Sequence, residues 1–379
     1  MSDVSGEHDS DVASDASMGT SRRIQVGIIF GGRSAEHEIS ILSARNVLAA
    51  LDRSRFEPVL IGIDRSGRWL AQDEQKLLAS AQDPRLARIQ AGMPVHMASP
   101  LAQYASASAK RLDVVFPVLH GTMGEDGAIQ GLLEVAGIPY VGAGVLGSAI
   151  GMDKDVMKRL LRDAGIAVAD FRTLRRAQFD ADSESACRSL NALGFPMFVK
   201  PANAGSSVGI SKVHAAEGVR EAIARAFMFD TKVIVESAII GREIELAVLG
   251  GNPATVSVAG EIVIEHPDGF YSYDAKYIDE HGARLELPAH LSADEQARAQ
   301  ALSLRAFEVL ECDGMARVDL FLQNDGKLLV NEINTIPGFT AISMYPKLWA
   351  LSGLSPAELI TRLIELALQR GRRRLALQR

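Results

Sequence analysis

RVDLF (317–321) and NEINTIPG (331–338) are joined through the turn signal Asp325-Gly326. Asp-Gly between apolar runs favours a two-residue hairpin loop. With Asp325 and Gly326 as the loop, Asn324 pairs with Lys327, which sets Asp319 opposite Glu332 and Arg317 opposite Asn334. Directly opposed residues share a face, with Cβ atoms roughly 5 Å apart. Two carboxylates so placed repel each other and destabilise an empty hairpin, a cost that a divalent cation removes. An all-oxygen set of Asp, Glu and Asn suits Mg²⁺ or Mn²⁺. The hairpin reads as a metal platform, and its few protein ligands leave positions for nucleotide phosphates.

The hairpin belongs to a chain of 379 residues, long enough for two or three domains. Hydrophobic content of 47% and charged content of 23% are those of a soluble globular protein. No apolar run reaches the length of a membrane span. The first twenty residues hold Asp3, Glu7, Asp9, Asp11 and Asp15 and neither Lys nor Arg. They lack the basic and apolar regions of a signal peptide and read as a disordered acidic tail over 1–21. Those five acids account for most of the net charge of −7, so the folded body is near neutral, which argues against nucleic acid as the main ligand. Cys187 and Cys312 form no metal or redox motif and are expected as reduced thiols in a cytoplasm.

Upstream, the buried-strand run IQVGIIF (24–30) ends in Gly31-Gly32. A helical stretch from about Glu36 to Leu51 and the strand EPVLIGI (57–63) follow, a βαβ pattern that predicts a parallel sheet. Residues 67–112 are irregular and read as an insertion with a helix or two. DVVFPVLHG (113–121) is a third strand, followed by a helix over 127–136 and the segment IPYVGAG (138–144). This first unit spans 22–145. A second, 146–243, opens with Asp153 capping a helix to about Ala164 and continues through FPMFVKP (195–201), the loop NAGSSVG (203–209), a helix over 217–228 and KVIVES (232–237). The third, 244–379, has a helix over 293–311 with the capping box Ser292/Glu295, the hairpin, and a last helix from the capping box Ser355/Glu358. Gly371 is placed to end that helix, and Arg370 to Arg379 read as a solvated end.

Four further stretches can carry chemistry. In VKPANAGSSVGISKV (199–213) a lysine ends a strand before a loop of small residues, where backbone N–H groups can approach phosphate oxygens. GxxxxGK[ST] is absent, so it is no P-loop, and read alone it serves equally as an ordinary Gly/Ser turn. VIVESAIIGREIELAVLG (233–250) delivers Glu236 into a short hinge that suits adenine and ribose, or forms an edge strand with a solvated turn. FYSYDAKYIDEHG (270–282) suits a mobile lid or a plain surface loop. Glu36 in GGRSAEHEIS (31–40) stands at a βα junction, where it can hold a substrate ammonium or simply favour the helix dipole. A lone His120 at a strand end is more often structural than catalytic.

Taken in order, GGRSAEHEIS, HGTMGEDGAIQG (120–131), MDK (152–154), VKPANAGSSVGISKV, YDAKY (273–277), RVDLF and NEINTIPGFT (331–340) resemble the ATP-grasp superfamily, and more narrowly the D-alanine–D-alanine ligases of bacterial cell-wall synthesis. The resemblance covers about residues 24 to 350. It implies a three-domain ATP-grasp architecture of α/β and α+β units with an N-terminal Rossmann-like parallel-sheet domain. It also implies ATP with two Mg²⁺ (or Mn²⁺), D-alanine as substrate, and a homodimer. Glu36, with Ser206 and Tyr277, is expected to orient the first ammonium, and His120 to stand on the substrate side. Lys154 and Lys200 are expected to hold ATP phosphates together with Ser206 and Ser207, Glu236 with Ser237-Ala238-Ile239 to read adenine, and Glu243 the ribose. Asp319, Glu332 and Asn334 are expected to hold the metals, Arg317 and the Gly338 N–H to form the oxyanion hole, and Lys276 and Ser343 to bind the second carboxylate.

Relatives that make D-Ala–D-lactate have a different lid, so the Lys276-Tyr277 pair implies D-alanine as second substrate. Ser237 stands where some relatives carry Lys, which spares a backbone contact to adenine but not a side-chain one. A nucleotide-binding regulator on a degenerate scaffold would have lost metal or oxyanion residues, and this chain keeps Asp319, Glu332, Asn334, Arg317 and Ser206.

Overall fold

A computed structural model describes residues 22–79, 86–95, 112–265 and 282–378. The acidic tail and the lid with Lys276 and Tyr277 lie outside them. The described residues form three sheets.

The first sheet is built on β1 (Ile24–Gly31), a run apolar except for Gln25 and buried on both faces, as a central parallel strand requires. It pairs in parallel with β2 (Phe56–Ile63) and β4 (Val114–Val118), and β3 (Trp69–Ala71) adds an antiparallel edge. The βαβ expectation holds, with the helix at His37–Ala49. Gly31 has φ +90, and a Cβ there would lie 2.3 Å from the Ile63 carbonyl oxygen, so only glycine makes this turn. The turn delivers Glu36 to the mouth of the helix. Within the 67–112 stretch, β3 and a helix at Glu74–Ala79 are described, and 80–85 and 96–111 are not.

The second sheet is antiparallel, in the order β5 (Phe171–Arg175), β8 (Lys232–Ser237), β6 (Met197–Pro201), β7 (Ser211–Val213). The Gly/Ser loop joins β6 to β7. A helix at Val219–Ala226 closes this core. Asp153 caps the helix Lys154–Asp163 as expected, its side chain accepting from the Val156 N–H at 3.1 Å. That helix buries Met157 and Leu161 in the core of the third sheet.

The third sheet runs β11 (Ala283–Glu286), β10 (Thr255–Ile264), β9 (Arg242–Leu249), β12 (Met315–Leu322), β13 (Leu328–Asn334), all neighbours antiparallel. Asp319 faces Glu332 and Arg317 faces Asn334, as the turn signal predicts. The route differs. The loop has three residues, Asn324 to Gly326, because the Gln323 N–H donates to Lys327 O at 2.9 Å, with Gly326 at φ +79. This moves the pairing by one residue. An extra residue, Asn331, bulges between the Asp319 and Leu320 pairs and restores it.

Both predicted capping boxes form, at Ser292/Glu295 and Ser355/Glu358. Gly371 does not end the last helix, which runs from Pro356 to Leu375. A Cβ at 371 would meet Pro139 Cγ at 2.7 Å, so the glycine is there for close packing against the first unit. The arginines from Arg370 onward are not all solvated, contrary to the expectation of a solvated end. Arg370 donates to Tyr140 O and Gly142 O and lies over the Tyr140 ring, and Arg374 pairs with Glu134. The stripe Leu359, Ile360, Leu363, Ile364 and Ala367 joins one core with Val114 and Phe116 of the first sheet and Ile41 of its helix His37–Ala49. Among the described residues no helix is long and apolar enough to cross a membrane.

Candidate active site

A cavity of about 530 Å³ opens where the three sheets meet. Every candidate residue within the described part of the chain lines it. Its floor is one face of the third sheet, where strand periodicity of two sends Glu243 and Glu245 of β9, Arg317 and Asp319 of β12, and Glu332 and Asn334 of β13 to the same side. Glu245, Asp319 and Glu332 thus stand side by side across three strands.

The opposed carboxylates are not left to repel each other, contrary to the expectation for an empty hairpin. Arg317 makes a bidentate pair with Asp319, 2.7 Å from each oxygen, and its Nε lies 3.0 Å from Glu245. Burial works against the guanidinium charge, but Asp319 and Glu245 outweigh it and keep Arg317 protonated well beyond the ordinary range. Lys154 approaches Glu332 at 3.6 Å and donates to Ala204 O at 2.8 Å. Asn334 donates its amide to Asp319 at 3.1 Å.

The second sheet forms the opposite wall. Lys200 of β6 donates to Glu236 of β8 at 2.8 Å, and Lys158, one helical turn after Lys154, reaches the other Glu236 oxygen at 3.1 Å. All three are buried or nearly so. Burial pushes the Glu236 carboxyl up, but the two ammoniums outweigh it and hold it at about 2. The hinge is also engaged with protein. The Ser237 N–H bonds Asp170 O, its hydroxyl Leu193 O, and the Ala238 N–H Pro196 O.

The Glu236 pair predicts an acid-sensitive cluster. An unfolded carboxyl titrates near 4.5 and this one near 2, so its contribution is complete above the unfolded value and is lost as pH falls through that window. Urea unfolding of the wild type and Glu236→Gln should show the wild-type advantage shrinking between about pH 5 and pH 2. A constant difference would mean that Glu236 carries no such linkage.

Above the floor, the Ser206 hydroxyl donates to Glu36, and the other Glu36 oxygen lies between Gly121 and Gly205. Ser206 and Ser207 both have left-handed backbone, φ 46 and 59. His120 is buried beside them with both ring nitrogens taken by protein, Nδ1 by Ile336 O at 2.9 Å and Nε2 by Ser43 Oγ at 3.0 Å. Glu125 stands 3.6 Å from Nδ1. Burial raises the Glu125 carboxyl, and Glu36 raises it further. Gly338 sits against Ser343, since a Cβ there would be 2.7 Å from the Ser343 hydroxyl. That hydroxyl accepts from the Thr340 N–H at 3.0 Å.

Three charged groups went unread in the sequence, Glu245 and Glu125 in the cavity lining and Lys158 buried behind Glu236. Lys158 had a signal in its four-residue spacing from Lys154, and Glu245 in its two-residue spacing from Glu243. Glu125 had none beyond its place in HGTMGEDG.

Residues 25–143 match the family described as D-ala D-ala ligase N-terminus, and residues 160–365 that described as D-ala D-ala ligase C-terminus. The chain is 53% identical over 364 residues to D-alanine--D-alanine ligase A of Chromobacterium violaceum, covering 94% of this chain and 98% of the relative. Among solved structures it is similar to the D-alanine-D-alanine ligase of Coxiella burnetii, with TM-score 0.78 and 37% identity over 93% of this chain and 96% of that one. It is also similar to the VanG D-Ala:D-Ser ligase of Enterococcus faecalis, with TM-score 0.75 and 36% identity over 91% of this chain and 100% of that one. The chain belongs to the D-alanine–D-alanine ligase family.

Proposed function

We propose that this chain joins two D-alanines into D-alanyl-D-alanine using ATP, in the bacterial cytoplasm and as a homodimer, and so supplies peptidoglycan synthesis. The observation that carries this reading is one cavity lined by Glu36, Ser206, Lys154 and Lys200, with Arg317 and the carboxylate pair Asp319 and Glu332 on its floor.

The floor fits a phosphate-bound divalent cation. Asp319, Glu332 and Asn334 share one face of the sheet and offer carboxylate and amide oxygens, the donor set a hard cation takes. Two carboxylates and an amide, each giving one oxygen, leave about half of an octahedral shell for phosphate and water. Asp319, Glu332 and Asn334 would hold Mg²⁺, which would offset the charge of the triphosphate. Lys154 and Lys200 add to that charge balance, and the hinge around Ile239 and Glu243 receives the adenosine. With its amide hydrogens and the Ser237 hydroxyl engaged by protein, the hinge offers the base carbonyl oxygens and the Ile239 backbone.

Glu36, with Ser206 and Tyr277, holds the first D-alanine by its ammonium and aims its carboxylate at the γ-phosphorus. An oxygen–phosphorus bond forms, ADP leaves, and an acyl phosphate results. The amine of the second D-alanine, placed by Lys276 and Ser343, attacks the acyl carbon, loses a proton and displaces phosphate. Arg317 and the Gly338 N–H meet the oxyanion that develops on the way. His120, with both nitrogens occupied, supports the substrate side by fixing the 336–339 segment to the first sheet.

The likeness to a D-Ala:D-Ser ligase at nearly the same TM-score favours one second reading, in which D-serine is the second substrate. Phosphate release should be measured with ATP, Mg²⁺ and D-alanine, alone and with D-serine or D-lactate added, and the product identified. Turnover with D-alanine alone, giving D-Ala-D-Ala, is expected. Turnover only on adding another acceptor would shift the reading to that acceptor.

A further inference from the structure

Loop residues 203–209 touch both halves of the cavity. Lys154 donates to Ala204 O, Gly205 packs against Glu36, and Ser206 bonds it. Left-handed backbone is disfavoured for residues with side chains, and Ser206 and Ser207 adopt it in succession. Such a conformation persists only where the surroundings hold it. Part of the hold comes from outside the cavity, from the turn between the helix Val219–Ala226 and β8. Asp230 Oδ2 accepts from Asn203 twice, from its N–H at 2.8 Å and its side-chain amide at 3.0 Å. Asp230 Oδ1 accepts from the Lys232 N–H at 3.1 Å, which fixes the carboxylate. At the far end Gly209, with φ +72, lies against Phe229, whose ring a Cβ would meet at 2.6 Å.

We propose that Asp230 is a positioning residue for ligation, whose carboxylate holds the loop in its binding geometry before either substrate arrives. The proposal rests on the reading of the cavity as the site for D-alanine and ATP. Without the anchor the loop spends only a fraction of its time in the competent form, and apparent affinity falls by that fraction. Saturating substrates reorder it through Glu36, Ser206 and the phosphate contacts, so turnover at saturation is kept.

The test is steady-state kinetics of the full-length wild type, Asp230→Ala and Asp230→Asn, with thermal unfolding of each. Asp230→Ala should raise KM for ATP and for D-alanine about tenfold each, with kcat within about twofold. Asp230→Asn, which keeps an oxygen acceptor for the Asn203 N–H, should fall between and serves if the alanine variant does not fold. Unchanged KM values in a variant that merely melts earlier or loses kcat would overturn the anchor and leave the functional reading standing. A wild type that forms no D-Ala-D-Ala would overturn both.

Discussion

Arg317→Ala is expected to lower kcat about 10²–10³-fold, a loss of roughly 3–4 kcal/mol of transition-state stabilisation, while nucleotide affinity changes far less. The guanidinium is already fixed by two hydrogen bonds to Asp319 and the contact with Glu245, so it needs no reorganisation when charge develops above it. An interaction realised only in the intermediate shows in kcat rather than in ground-state binding. Arg317→Lys should recover little, because an ammonium cannot reproduce the planar fork that pairs with Asp319. The competing role is purely structural: with Arg317 gone, Asp319 and Glu245 lose their shared counter-charge and stand beside Glu332 with only Lys154 near. Single-turnover rates and nucleotide titration separate the two. Equal losses in rate and nucleotide affinity, or a variant whose defect Mg²⁺ alone repairs, would remove Arg317 from the oxyanion role.

The same hairpin shows what a sequence can and cannot carry. Facing pairs at 319/332 and 317/334 followed from the turn signal, yet the turn has three residues and the register is recovered only by the bulge at Asn331. A bulge is a two-strand property, and nothing in LLVNEIN announces it. The charge balance was misjudged for a related reason. Repulsion between Asp319 and Glu332 was inferred without their neighbours: Arg317, two residues away on the same face of β12, was within reach of the spacing, whereas Lys154 and Glu245 arrive only through helix and sheet packing. Lys158 was passed over because a lysine with no exposed surface contradicts the usual expectation, and Glu236, its partner, is remote in sequence. Gly371 obeyed a sound rule about helix ends and was overridden by the approach of Pro139, a contact that exists only after the last helix docks on the first unit. By contrast, caps, the βαβ unit and the order of motifs are local or sequential, and these were legible.

Gly205→Ala should lower kcat/KM for D-alanine about a hundredfold, although it adds a single methyl group to a loop. A Cβ at 205 would lie 2.5 Å from Glu36 Oε2, closer than nonbonded atoms approach. The carboxylate can move only by giving up its present contacts. On its other face a Cβ at Gly121 would be 2.6 Å from the same oxygen, which leaves the backbone there in near contact, and its second oxygen is held by Ser206. Either Glu36 or the loop must shift by about an ångström, and a displacement of that size at a substrate-orienting group is worth about two orders of magnitude in rate. Gly205 has no left-handed φ, so the substitution introduces no backbone strain there and the effect is steric. D-alanine should therefore be titrated at saturating ATP, with fluorescent-nucleotide binding as the second readout. A large loss confined to the D-alanine dependence is the expected pattern. A variant with wild-type D-alanine kinetics would show that Glu36 does not hold the ammonium in this geometry. One that loses nucleotide binding in equal measure would show that the loop serves the phosphate side alone.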